Sequence, residues 1–92
     1  RTMGLEYRNL MEEVVLQNVD TVMAAEGGCT CDACKSDVIA YTLNHLPAHY
    51  VATRQGGLMV KLESYALQAR ADVVAALSEA VVLVAKSPRH GR

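Results

Sequence analysis

The sequence contains no tryptophan and no phenylalanine, and its only aromatic residues are four tyrosines. Hydrophobic residues still make up 51% of the chain, so the four tyrosines, the aliphatic side chains and the many alanines must fill the core. A single domain of 92 residues buries only about two-thirds of the surface that its unfolded chain exposes. We therefore expect a thin core that a bound metal ion or a partner chain would stabilise.

An excess of basic residues is also missing, because nine lysines and arginines stand against ten aspartates and glutamates, for a formal net charge of −1. Non-specific affinity for DNA or RNA depends on a broad positive field, so we expect no long nucleic acid as a partner. The sequence has no apolar run of about 18 residues and no signal-like start. We expect a cytoplasmic protein without a membrane partner. The net charge still allows a small anion as a ligand, because a few basic residues can converge locally.

Catalytic motifs are absent as well. The sequence shows no nucleophile-base-acid set, no glycine-rich phosphate loop and no open metal motif such as His-Glu-x-x-His. We therefore expect a binding or regulatory protein and not an enzyme.

Apolar residues recur at helical spacing in three segments, at about Leu5–Ala25, about Asp32–Leu46 and about Lys61–Ala85. A Gly-Gly pair at Gly27 ends the first segment, and Pro47 ends the second. The pattern predicts a mainly α fold, in which residues 1–92 form one small domain of three to four helices with a cysteine-rich corner.

Two short β-prone runs, Tyr50–Thr53 and Leu58–Val60, flank the glycine turn Arg54–Gly57. They predict a short loop or a β-hairpin. A two-stranded ribbon is marginal alone in water, so it should lie on the helices or pair with a partner. The wide apolar face of the first helix, extended sideways by Leu16 and Met23, indicates contact with two neighbours or with a second copy of the chain.

All three cysteines, Cys29, Cys31 and Cys34, fall within six residues at Cys-x-Cys-x-x-Cys spacing. A loop that turns into a helix, capped by Thr30 or Asp32, can present them to one ion, and zinc is the natural candidate. A closed structural site requires a fourth ligand, for which the candidates are His45, His49, His90, Asp37, a thiolate of another subunit or water. His90 is preferred, because the end of the third helix could return to the glycine turn.

The sequence also allows other interpretations of the three cysteines. They could be buried filler, or they could form one disulfide with an odd thiol left over, although three cysteines in six residues is unusual for filling. The pair Cys31 and Cys34 could also be redox-active at a helix N-terminus, which lowers a thiol pKa. A thioredoxin-like site requires a βαβ setting that the helical pattern lacks, so a metal site is the preferred interpretation.

Several motifs carry a resemblance that spans nearly the whole chain: Cys29-Thr-Cys-Asp-Ala-Cys34, Asp37-Val-Ile-Ala40, Leu43-Asn44, Leu46-Pro47, Tyr50-Val51 and Ser87-Pro-Arg89. In this order they resemble the late competence development protein ComFB family of bacteria. The resemblance implies a small, zinc-binding, mainly helical homodimer linked to competence and motility. It also implies a receptor for a cyclic dinucleotide, cyclic di-GMP or cyclic di-AMP, that signals to a protein effector. Some members carry a further cysteine after Ser-Pro-Arg, where this chain has His90.

A cyclic dinucleotide would require cations for two phosphates and a flat group for stacking. The residues available for this role are Tyr50, Arg54 and Lys61 around the loop, and Lys86 and Arg89 near the C-terminus. A two-fold dimer would double each group and match the pseudo-symmetry of the ligand. The alternative function, of a different class, is a constitutive protein–protein adaptor with structural zinc and no small ligand.

Overall fold

The computed structural model describes residues 5–52 and 58–87, with residues 58–60 as backbone only. In chain order the elements are β1 (Tyr7–Asn9), α1 (Leu10–Glu26), α2 (Asp32–His45), β2 (Tyr50–Ala52) and α3 (Leu58–Lys86). The mainly α class is therefore confirmed, with three helices in the described ranges. The predicted turn Arg54–Gly57 and the chain from Pro88 onward lie outside the described residues.

The three helices pack around one apolar seam, in which α1 contacts both α2 and α3 and α2 also contacts α3. With 29 residues, α3 is about 43 Å long at the usual helical rise, and it spans the 44 Å long axis of the molecule. The buried hydrophobic side chains are Leu10, Met11, Val14, Val15, Val19, Val22, Met23, Cys34, Val38, Leu62, Ala69, Val73, Leu77, Ala80 and Val81. No tyrosine of the described ranges is among them, and only Tyr41 and Tyr65 pack against the core, partly buried, so the tyrosines fill less of it than the composition predicts. No helix in the described ranges has the length and hydropathy required to cross a bilayer.

The first helix begins at Leu10 and not near Leu5, because the preceding residues form β1. Asn9 is the N-cap of α1, and its side-chain Oδ1 accepts a hydrogen bond from the Met11 N–H at 3.1 Å. Tyr7, which fits the helical pattern, is exposed in the strand. The end of α1 follows the prediction, since Gly27 takes the left-handed conformation with φ of 77°.

The predicted hairpin is wrong in its second strand. β2 pairs antiparallel with β1, with Arg8 opposite Val51, whereas residues 58–60 already belong to α3. A short apolar run such as Leu-Met-Val suits a strand and a buried helix equally well, so the local pattern cannot choose between them. The observed pairing instead joins the segment before α1 to the segment after α2.

Asn9 also connects the N-terminus of α1 to the segment before β2. Its Oδ1 accepts a second hydrogen bond from the His49 N–H at 2.8 Å, and the His49 carbonyl accepts one from the Leu10 N–H at 2.7 Å. One side-chain oxygen therefore caps a helix and holds a residue forty positions away in the sequence.

Replacing Asn9 by alanine removes both bonds of this oxygen. We expect Asn9→Ala to lower the free energy of unfolding by about 1–2 kcal/mol, the usual cost of a lost N-cap together with a weakened tertiary bond. Asn9→Asp keeps the acceptor oxygen and should stay close to the parent protein. Urea denaturation measures both variants, and equal stability of Asn9→Ala and the parent would contradict the role assigned to Asn9.

Thr42 on α2 is fully buried, and its Oγ1 has no hydrogen-bond partner among the described residues. A buried hydroxyl without a partner keeps its desolvation cost. Thr42→Val retains the branched shape and removes the hydroxyl, so we expect it to raise the free energy of unfolding by up to about 1 kcal/mol. Thr21→Val at an exposed position of α1 is the matched control, expected within about 0.5 kcal/mol of the parent. A clear loss of stability in Thr42→Val, measured by urea denaturation, would contradict this interpretation.

Candidate metal centre

The cysteines lie at the corner between α1 and α2, which the glycine pair shapes. Gly27 turns the chain out of α1, and a Cβ built on Gly28 would meet Val81 Cγ1 of α3 at 3.9 Å. The loop therefore lies against the C-terminal part of α3. Cys31 then serves as the N-cap of α2, without a side-chain capping bond, so neither Thr30 nor Asp32 takes the predicted capping position.

The three sulfur atoms converge. Their Sγ atoms all lie within 4.8 Å of one another. In a tetrahedral site with Zn–S bonds of about 2.3 Å, the sulfur atoms stand about 3.8 Å apart, so small side-chain rotations would bring them to a shared ion. Cys34 is buried with 3% exposure, Cys31 is half-buried and Cys29 is exposed. The cluster thus has one buried side and one side open to solvent.

Cys31 and Cys34 differ in acidity. Hydrogen bonds from the Cys34 backbone N–H and from the Cys29 side chain lower the pKa of Cys31 to about 7, whereas burial raises the pKa of Cys34 to about 12. The Cys31 N–H in turn lies 3.5 Å from Cys29 Sγ. Zinc binds thiolates, so a metal ion at this cluster would displace thiol protons, and its binding would strengthen as the pH rises. The donor set and its spacing fit a zinc ion.

Two of the candidate fourth ligands lie far from the cluster. His45 closes α2, about 17 Å along its axis from Cys34, and its Nδ1 lies 2.8 Å from the Tyr41 carbonyl. The His49 ring stacks on Tyr65 at 4.3 Å, and Tyr65 lies about 24 Å along α3 from Val81. Neither histidine of the same chain reaches the sulfur atoms.

The remaining candidates are Asp37 and His90. Asp37 lies one turn beyond Cys34 and is half-buried, but among the described residues the converging ligand atoms are the three sulfurs alone. His90 is outside the described residues. The chain nevertheless leaves α3 beside the cluster, because a cavity of about 190 Å³ is lined jointly by Cys29, Cys34, Val81, Val84 and Ala85.

The residues that the sequence offered for a cyclic dinucleotide do not all meet in one chain. Tyr50 and Lys61 lie at the end of the molecule where α3 begins, and both are exposed. Lys86 closes α3, about 38 Å along the helix axis from Lys61. Arg54 and Arg89 lie outside the described residues. A single chain therefore cannot present both ends of α3 to one small ligand.

A groove that the sequence did not indicate lies near the start of α3. His49 and Tyr65 form one wall of it, with Ser64 and Gln68 beside them. Helical periodicity assigned Tyr65 to the core, and His49 was considered only as a metal ligand. Only the tertiary contact between the two rings indicates a shared surface.

A search of curated proteins found no significant match. Among solved structures, the late competence protein ComFB from Bacillus subtilis is similar, with a TM-score of 0.76 and 25% sequence identity over 91% of this chain and 96% of that one. The family model for late competence development protein ComFB matches residues 8–88. The order of elements, the cysteine corner and this match over nearly the whole sequence agree, and the chain belongs to the late competence development protein ComFB family.

Proposed function

We propose that this chain is a regulatory protein, not an enzyme, in which a structural zinc ion stabilises a homodimer that binds a cyclic dinucleotide and signals to a protein effector. It would act in the cytoplasm, where thiols remain reduced. The observation that carries the metal part of this proposal is the convergence of Cys29, Cys31 and Cys34 within 4.8 Å.

Zinc would act here as a structural clamp. The cysteines lie where α1, α2 and the end of α3 come together, and in the described ranges no aromatic side chain is fully buried in the core between these helices. In small domains, the free energy of metal binding becomes free energy of folding. An ion at this corner would therefore compensate for a thin core without any role in catalysis.

His90 is our proposed fourth ligand. Val84 and Ala85, in the last turns of α3, line the same cavity as Cys29 and Cys34, and Ser87 follows α3 directly. Only two residues of the sequence separate Ser87 from His90, so the chain is short enough to keep His90 within reach of the cluster. A His nitrogen completes a three-thiolate zinc site as well as a fourth thiolate does.

Exposed apolar side chains support the homodimer. On α3, Leu67 is 81% exposed and Val82 is 48% exposed, and on α1 Leu16 is 47% exposed. Leu67 and Val82 lie close to four helical turns apart, so they share one side of α3. A two-fold partner could cover this side. It could also bring the start of one α3 near the end of the other α3. A ligand that contacts both Lys61 and Lys86 would require such an arrangement.

The zinc proposal predicts a defined response to Cys31→Ser. We expect the parent protein to contain one zinc per chain, and we expect Cys31→Ser to lose most of it and at least about 2 kcal/mol of unfolding free energy, because the ion contributes to folding. Elemental analysis and thermal denaturation measure the two effects. Ser36→Ala, at an exposed position of α2, is the control and should change neither.

Two histidine variants extend the same experiment to the fourth ligand. His90→Ala should weaken zinc binding in competition with a chelator, whereas His45→Ala, at the far end of α2, should not. Equal zinc affinity of both variants would assign the fourth position to water or to a second subunit. A parent protein without stoichiometric zinc would overturn the metal proposal.

The ligand proposal rests on membership of the family, and the adaptor is its competitor. A receptor is stabilised by any ligand that binds the native state, by about 2.7 kcal/mol at a hundredfold excess over Kd. For the zinc-loaded protein, we therefore expect cyclic di-GMP or cyclic di-AMP to raise the melting temperature by several degrees, while GMP and AMP at equal concentration do not.

Sedimentation velocity on the same samples gives the oligomeric state. A dimer that neither cyclic dinucleotide stabilises at millimolar concentration would favour the constitutive adaptor. A monomer in both conditions would contradict the homodimer.

A further inference from the structure

The groove near the start of α3 has a mixed lining. Its polar side chains are His49, Lys61, Ser64, Tyr65 and Gln68, above an apolar floor of Leu10 and Val51, and they enclose about 320 Å³. Tyr65 and Gln68 also border a second recess of about 190 Å³ that reaches Asp72. The two recesses share Tyr65 and Gln68 in their linings, and the volume of the larger one is that of a small-molecule site.

The wall of this groove is held in place by the fold. The His49 N–H donates to Asn9 Oδ1 at 2.8 Å, and the His49 carbonyl accepts from the Leu10 N–H at 2.7 Å. The His49 ring then lies on Tyr65 with centroids 4.3 Å apart and an interplanar angle of 35°. Both backbone groups of His49 are thus satisfied by α1, and the ring pair is positioned before any ligand arrives, which lowers the entropic cost of binding.

The chemistry of the lining differs between the two recesses. In the first recess, the Lys61 ammonium and the Ser64 hydroxyl can donate to phosphate oxygens. In the second, the Asp72 carboxylate can accept hydrogen bonds from amino groups, and it is close enough to Tyr65 to reinforce the effect of burial in raising the pKa of the phenol. The His49–Tyr65 pair between them offers aromatic surface for a flat ring.

Other concave surfaces of the described part suit such a ligand less well. In the recess below Tyr7 and Tyr50, Arg8 lies 3.5 Å from Glu13, and Glu12 adds a further negative charge. Phosphate would be repelled there. The cavity beside the cysteines is lined mainly by aliphatic side chains.

We propose that the groove between His49 and the first turns of α3 binds a phosphorylated ligand with a planar ring, and that it is the site of the cyclic dinucleotide. Lys61 and Ser64 bind a phosphate, the ring lies against the His49–Tyr65 pair, and Gln68 and Asp72 accept from the base edge. The identity of the ligand rests on the proposed function, whereas the location rests on the groove. Of the three ligand residues offered by the sequence that the structure describes, Tyr50, Lys61 and Lys86, only Lys61 lines this groove.

The test uses the zinc-loaded full chain with cyclic di-GMP, cyclic di-AMP, GMP, AMP and inorganic phosphate as probes. Calorimetry gives affinities, and amide chemical-shift mapping gives the location. Lys61→Glu should weaken binding at least about tenfold through loss of a charge-assisted contact, and Gln68→Ala should weaken it less. Arg70→Glu is the matched control, since Arg70 is an exposed cation of α3 outside the groove, and it should stay within about twofold.

Each outcome decides between the two proposals. Loss of affinity in Lys61→Glu, with shifts at His49, Tyr65 and Gln68, supports the groove. Tight binding of a cyclic dinucleotide that Lys61→Glu leaves unchanged, with shifts elsewhere, overturns the groove and leaves the proposed function standing. Binding of GMP or AMP in the groove without either cyclic dinucleotide supports the groove and overturns the proposed ligand. Failure of every probe to bind overturns both.

Discussion

The meeting of three helices at one cysteine-lined corner is the constraint on which the rest of this structure depends. α1 ends at Gly27, α2 begins after Cys31, and Gly28 lies against Val81 of α3. Elsewhere in the described ranges the fully buried side chains of the core are mainly aliphatic, and each larger one contributes only about 1.5–3 kcal/mol. An ion bound at this corner would therefore contribute a large part of the free energy of folding in a domain of this size.

The two ends of α3 border two different candidate sites, the cysteine cluster and the groove with His49. Its C-terminal part borders the cysteines, and its first turns border the groove with His49 and Tyr65. Because a helix is stiff over this distance, a structural ion at one end and a ligand at the other would not compete for side chains. The link between the groove and α1 passes through Asn9, whose single oxygen serves both the helix cap and the His49 amide. Ligand-dependent signalling would have to act through such a connection or through a partner chain.

The sequence predicted the three helices better than it predicted the strands that pair beside them. Periodicity found α2 to within a residue, since Pro47 and the cysteines mark its ends. It placed the start of α1 too early, although Asn9 before the first buried run is a recognisable capping signal. The run at residues 58–60 was assigned to a strand because three apolar residues carry no period that distinguishes strand from helix. The strand partner of Tyr50–Ala52 lies more than forty residues away, beyond any local pattern.

Local spacing and local backbone preference were sufficient to predict the helical class, the glycine and proline boundaries of the helices and the cysteine cluster. The motifs of the sequence also determined the family, which the match over residues 8–88 confirms. The tertiary structure was required to separate His45 and His49 from the cysteines, because it placed both at the opposite end of the described ranges. It alone brought His49 into one groove with Lys61 and Tyr65. The latter two are neighbours on α3 already, whereas His49 joins them only when the segment before β2 packs against that helix.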